Sequence, residues 1–168
     1  PEEIYANAWV HRLMTAGRVL SRPEGWIAHL PRFRKTELII SGVWACGALE
    51  MGHDLQAAKY YRRCLELLAP RIKATGEVIN FEESVETCAC ILLLLAYEIC
   101  NSSLTLHNFN LHLDGLGQIL KSHVAYVVKH GKLTRYRMMS PKPDFPGLVY
   151  QSFREIESVA NVSHLQAK

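Results

Sequence analysis

From Cys88 to Tyr97 the chain reads Cys-Ala-Cys-Ile-Leu-Leu-Leu-Leu-Ala-Tyr, apolar at every position, with Glu86 just upstream and Glu98 directly after. A run of this kind with no polar stripe predicts a helix covered by neighbours on all sides. Glu82, Glu83 and Glu86 lie in its opening turns, where carboxylates suit the positive end of the helix dipole. The pattern therefore predicts a helix from Phe81 to about Cys100. It falls far short of the ~20 apolar residues that span a bilayer, and no segment has the layout of a signal peptide.

The remaining elements show amphipathic spacing. Trp9, Leu13, Ala16 and Leu20 mark one stripe of a helix over Glu2 to Leu20. Ser21 to Gly25 breaks that pattern and Pro31 punctuates again, so a second helix is expected from about Phe33 to Glu50. Gly42 and Gly47 inside it mark close packing or a weak helix. Gly52 is a natural stop and Asp54 a natural N-cap. A third helix, Leu55 to Leu68, sets Tyr61, Leu65, Leu68 and Ile72 on one face, and Pro70 is expected to kink or end it. After the turn at Asn101-Ser102-Ser103, Leu104 to about Val128 carries Leu106, Phe109, Leu113, Leu116 and Leu120 at a 3-4-3-4 spacing. His130 to Gly147 reads as a loop, of a length that is usually functional or mobile. A last helix over Leu148 to Leu165 turns Tyr150, Phe153 and Ile156 inward. Glu77 to Phe81 is the one weak strand signal.

The pattern predicts an all-α fold. Residues 1–168 form a single domain of about six helices, in antiparallel pairs around a central apolar helix. Its expected core sets Leu92, Leu93, Leu94 and Leu95 against Leu106, Phe109, Leu113, Leu116 and Leu120. Gly115 would permit close approach because it adds no side chain between backbones. Helices two and three look like one unit of a tetratricopeptide-like array, yet no second copy follows at a fixed period.

Composition adds mainly exclusions. At 49% apolar and 21% charged the chain is of ordinary globular make-up, and its net charge of +3 is spread over Arg32, Arg34, Arg62, Arg63 and Lys129 to Arg137. Basic residues so dispersed do not predict a nucleic-acid surface. Five cysteines, odd in number and set in apolar helical patterns, point to a reducing, intracellular compartment. Cys88 and Cys90 point about 200° apart on a helix and so cannot easily share a metal. His107, His112 and Asp114 lack the i, i+4 spacing of a metalloprotease helix. Gly115-Leu116-Gly117 sits in a helix pattern with no strand before it, so it is no phosphate loop, and nucleophile-elbow and P-loop motifs are missing. No catalytic, cofactor-binding or metal-binding residue is expected, and enzyme activity is disfavoured. Glu98 stands apart as a carboxylate at the end of an apolar helix. It must reach solvent or a polar group, with His112 or Arg154 as candidate partners.

Several segments in order carry a resemblance: Ala48-Leu49-Glu50 through Ala57-Ala58-Lys59-Tyr60-Tyr61-Arg62-Arg63-Cys64-Leu65; Leu92 to Glu98; His112-Leu113-Asp114-Gly115-Leu116-Gly117-Gln118-Ile119-Leu120; and Phe153-Arg154-Glu155-Ile156. Together, over about Val43 to Val162, they resemble the fungal-specific transcription factor domain, the regulatory region that follows a six-cysteine zinc cluster. Leu116 departs from the pattern, since the family usually has a small residue after the motif glycine. The resemblance implies a nuclear regulatory module of RNA polymerase II transcription with no enzyme activity. Its partners would be co-regulators or a second copy of itself, and it would not contact a membrane. Zinc and DNA contacts would belong to a missing N-terminal segment, and the family domain would continue past Lys168, leaving this chain truncated. Two rival readings stand beside it. One is a helical interaction scaffold without a transcriptional link; the other is a small-molecule-binding helical domain.

Overall fold

The computed structural model describes residues 2–15, 23–73 and 81–101, together with 111, 114, 115, 117–119, 147–149, 151, 152, 154 and 155. The fold is all-α: among the described residues the secondary structure is helix and turn, with no strand. Helix α1 spans Glu2–Thr15, α2 Pro23–Ala28, α3 Leu30–Phe33, α4 Glu37–Glu50, α5 Asp54–Lys73 and α6 Phe81–Cys100. The described residues within 111–119 and within 147–155 are helical too.

Several expected boundaries move, each for a local reason. The stretch read as a break holds two short helices, because Pro23 opens α2 and Pro31 sits in the first turn of α3. A proline at the start of a helix forfeits only an amide that has no intrahelical partner. The following helix consequently begins at Glu37 rather than Phe33, with Thr36 extended before it. Asp54 lies in the first turn of α5. The His53 carbonyl accepts the opening hydrogen bonds, from Gln56 N and Ala57 N. Pro70 neither ends nor caps α5, which continues to Lys73. The carbonyl that Pro70 deprives of a donor belongs to Glu66, an exposed residue, so water can satisfy it. The inward face of α5 is Ala57, Tyr61, Cys64 and Leu68, while Leu65 and Ile72 are 37% and 40% exposed. Phe81, part of the weak strand signal, is the first residue of α6.

Gly52 ends α4 in the way its chemistry allows. Its φ is +70°, the left-handed region. Gly52 N donates to Leu49 O at 3.0 Å and His53 N to Ala48 O at 2.9 Å. These two bonds form the Schellman closure, which satisfies carbonyls that the last turn would leave open.

The turn folds α5 back antiparallel on α4, with Ala48 near Ala57 and the Cys64 thiol donating to Leu38 O at 3.6 Å. Helix α6 is antiparallel to α5, since Tyr61 meets Glu98 and Arg71 meets Glu86. Helices α4 and α6 therefore run parallel, and the Cys90 thiol donates to the same Leu38 carbonyl at 3.8 Å. Two apolar helices thus lie side by side at the centre. Leu38 to Val43 of α4 and Thr87 to Glu98 of α6 are buried at every position. At the top of this trio, Thr36 Oγ1 donates to Glu86 Oε1 at 2.9 Å and Arg71 donates to Glu86 Oε2 at 3.3 Å. One carboxylate joins three helices.

Close approach depends on two glycines in α4. A Cβ on Gly42 would lie 3.0 Å from Leu93 Cδ1 of α6, a soft contact. A Cβ on Gly47 would lie 1.8 Å from the backbone oxygen of Tyr5, where no side chain can move aside. Helix α1 crosses α4 at that point and buries Tyr5, Ala6, Trp9 and Leu13. Elsewhere in the core, Trp26 Nε1 donates to Ser152 Oγ at 3.2 Å, and Leu148 packs over Gly25. We expect Gly47→Ala to destabilise the fold by about 3 kcal/mol, because α1 must lift from α4. Gly115→Ala should instead be neutral or stabilise by up to about 1 kcal/mol, since Gly115 is helical and among the described residues nothing lies within 4 Å of its would-be Cβ. Urea unfolding of the two variants checks the contrast.

Candidate functional site

The described residues carry two features with polar chemistry inside the helical body: an aromatic cluster holding a buried carboxyl group, and a cavity. The cluster forms where α5 lies over α4 and α6. Tyr61 stacks on Tyr97 with ring centroids 4.6 Å apart, and its hydroxyl donates to Glu98 Oε1. Glu98 is only 5% exposed, so a carboxyl group from an otherwise apolar helix is satisfied by a phenol from the neighbouring one. Burial, then the bond to Glu98, pushes the Tyr61 phenol well above its usual value. Tyr5 and His53 extend the cluster, with the hydroxyl 3.1 Å from Nδ1, and Tyr60 sits edge-on to Tyr5 and tilted against Trp44.

The cavity, of about 140 Å³, lies between α1, α4 and α6. Helix α1 contributes Trp9, Arg12 and Leu13; α4 contributes Cys46, Leu49 and Glu50; α6 contributes Ala96, Tyr97 and Cys100. Its floor is apolar and its rim is charged. Arg12 Nη1 lies 3.6 Å from Glu50 Oε2, and Nη2 reaches the Cys100 sulfur at 3.9 Å, a long contact to a weak acceptor. The Nε–H of Arg12 is buried and meets no acceptor among the described residues.

Leu92, Leu93, Leu94 and Leu95 are fully buried. Leu106, Phe109, His112, Leu113, Leu116 and Leu120 lie outside the described residues, as does the expected loop from 130 to 146. Gly115 is helical, but the glycines with a crowded approach are Gly25, Gly42 and Gly47. Of the three residues considered for polar pairing, Glu98 is buried against Tyr61, and Arg154 is exposed on its helical segment. Spacing groups Tyr61 with apolar positions and so hides its role. The signal that could find it is a hydroxyl facing a helix with one isolated acid.

Cys64, Cys88 and Cys90 are buried and serve as packing, Cys46 is half-buried, and Cys100 is exposed. Burial pushes the Cys88 thiol up to about 12 and Cys46 well up, while contact with the Cys64 thiol and burial raise Cys90. These thiols stay protonated at neutral pH, a form that neither attacks carbonyls nor binds zinc. Among the described residues no three histidine, cysteine or acidic side chains converge, and no helix is long and apolar enough to cross a membrane. Four arginines from α3 to α5 meet carboxylates: Arg32 with Glu82, Arg34 with Glu3, Arg63 with Glu37 at 2.7 Å and Arg71 with Glu86.

This body of helices defines a class, and comparison with known proteins identifies it. The fungal specific transcription factor domain family matches residues 18–145, about three quarters of the chain, and the protein belongs to that family. The matched region starts earlier than the segment carrying the sequence resemblance and stops before Phe153-Arg154-Glu155-Ile156. No curated protein and no solved structure matches the chain significantly.

Raised thiol and phenol groups make stability depend on alkaline pH. The folded state keeps its proton where the unfolded state has lost it. This contribution is complete below the ordinary thiol value of 9.0 and is lost as pH climbs toward about 12. For Cys88 alone the slope approaches about 1.4 kcal/mol per pH unit within that window. Denaturant unfolding followed from neutral pH to about pH 11 should show the decline, and Cys88→Ala should flatten it. A second variant tests the buried acid: Tyr61→Phe should lose about 1–3 kcal/mol by withdrawing a donor from Glu98. Tyr60→Phe, whose phenol is only partly covered, serves as the near-neutral comparison in the same titration.

Proposed function

We propose that this chain is a non-catalytic regulatory and interaction domain of a fungal zinc-cluster transcription factor, acting in the nucleus on genes read by RNA polymerase II. The observation that carries this reading is the family match over residues 18–145. The structure is compatible with it. Its buried thiols are held protonated, Arg32, Arg34 and Arg63 meet carboxylates, and the helices enclose a continuous apolar core. In this reading sequence-specific DNA contact and zinc belong to another part of the parent protein. This domain sets the output of the factor through co-regulators or through a second copy of itself.

The test joins the 168-residue chain to a heterologous DNA-binding domain upstream of a reporter in a fungal cell. We expect reporter output to rise or fall severalfold against the DNA-binding domain alone, and the effect to vanish when the fold is broken by a charge in the core, Leu94→Asp. An expressed, folded fusion that leaves output unchanged in both directions would remove the reading. Exclusive recovery of the intact parent protein from cytoplasm would favour a scaffold without a transcriptional role.

A further inference from the structure

We propose that the cavity between α1, α4 and α6 is a binding site for a small monocarboxylic acid with a compact apolar body, its carboxylate held by Arg12. The cavity follows from the helix packing. Helices α1 and α4 touch backbone to backbone at Tyr5 and Gly47, and crossing helices diverge away from their point of contact. The space opened on the C-terminal side of that contact is lined by Trp9 and Leu13 on one wall and Tyr97 on another. At about 140 Å³ it is close to the roughly 150 Å³ that accommodates a single benzene ring.

Charge selects the ligand within that size. Among the described residues Arg12 is the only cation lining this cavity, and its guanidinium is poorly used. Its ion pair with Glu50 is a single contact at 3.6 Å, and its Nη2 reaches only a sulfur at 3.9 Å. The Nε–H is covered by protein, so the two Nη groups, held only by those long contacts, are the donors a ligand meets. The planar end of a guanidinium suits the two oxygens of a carboxylate. Glu50 makes the site selective against higher charge, because its carboxylate repels a second negative group. A singly charged acid is thus favoured over a phosphate or a dicarboxylate. The binding stands on the geometry alone. Its use as an effector site rests on the regulatory reading above, and the binding assay reads no transcription.

The test uses the whole chain with benzoate as probe and benzamide, equal in size and uncharged, as comparison. We expect benzoate to bind saturably, with nuclear Overhauser contacts from its ring protons to the Trp9 indole. Benzamide should bind roughly tenfold or more weakly at the same place. Arg12→Gln should lower benzoate to the level of benzamide, and Glu50→Gln should strengthen benzoate while leaving benzamide unchanged. Both residues are at the rim, and the two ligands on the wild-type chain separate the outcomes even if a variant misfolds. Absence of a saturable signal at Trp9, equal affinity for the two probes, or indifference of folded Arg12→Gln would each overturn the proposal.

Discussion

A helix that is apolar around its whole circumference cannot border water, and α6 is such a helix. From Thr87 to Glu98 each of its side chains is buried, and that demand organises what surrounds it. Helix α4 answers on one side with a second apolar surface, drawn close by Gly42 beneath Leu93. Helix α5 answers on another with a mixed face of Ala57, Tyr61, Cys64 and Leu68. Ile119, Leu148 and Val149 from the later helical segments complete the same core. At roughly 25 cal/mol per Å² of apolar surface removed from water, no polar arrangement elsewhere in the chain competes with this contribution.

The polar exceptions are informative against that background. Glu98 enters the core on α6 and is met by a phenol, while Glu86 joins α4, α5 and α6 through Thr36 and Arg71. Each acid is placed where helices converge, so its hydrogen bonds specify register as well as relieve burial. The thiols are treated as small apolar groups, two of them donating to one carbonyl at Leu38. Such an interior offers little to reaction chemistry. Its surfaces and the cavity beside Arg12 are what remain for recognition.

The helix from near Phe81 to about Cys100 is legible in the sequence, because acids open it and an unbroken apolar run follows. Gly52 is equally legible, since few other residues take a positive φ. Prolines mislead. Pro23 and Pro31 read as breaks where they begin helices, and Pro70 reads as an end where an exposed last turn tolerates it. Spacing alone turns Leu65 and Ile72 inward, yet Ala57 and Cys64 join Tyr61 and Leu68 on that face, with Tyr61 reaching Tyr97 of α6 and Cys64 the Leu38 carbonyl of α4. The family is readable from ordered short motifs, although the match begins well before Val43. The cavity is not readable. Its walls come from three helices separated by dozens of residues, and only Arg12 and Glu50, single charges near apolar stripes, hint at it.

The bond from the Trp26 indole to Ser152 spans 126 positions of sequence. During synthesis the N-terminal helices leave the ribosome first, and domains tend to assemble as they emerge. Trp26 and the groove at Gly25 must then wait for Leu148 and Ser152, the latter made 126 positions later. Through that interval a large aromatic ring stands uncovered on a nascent chain, a natural point of attachment for holding chaperones.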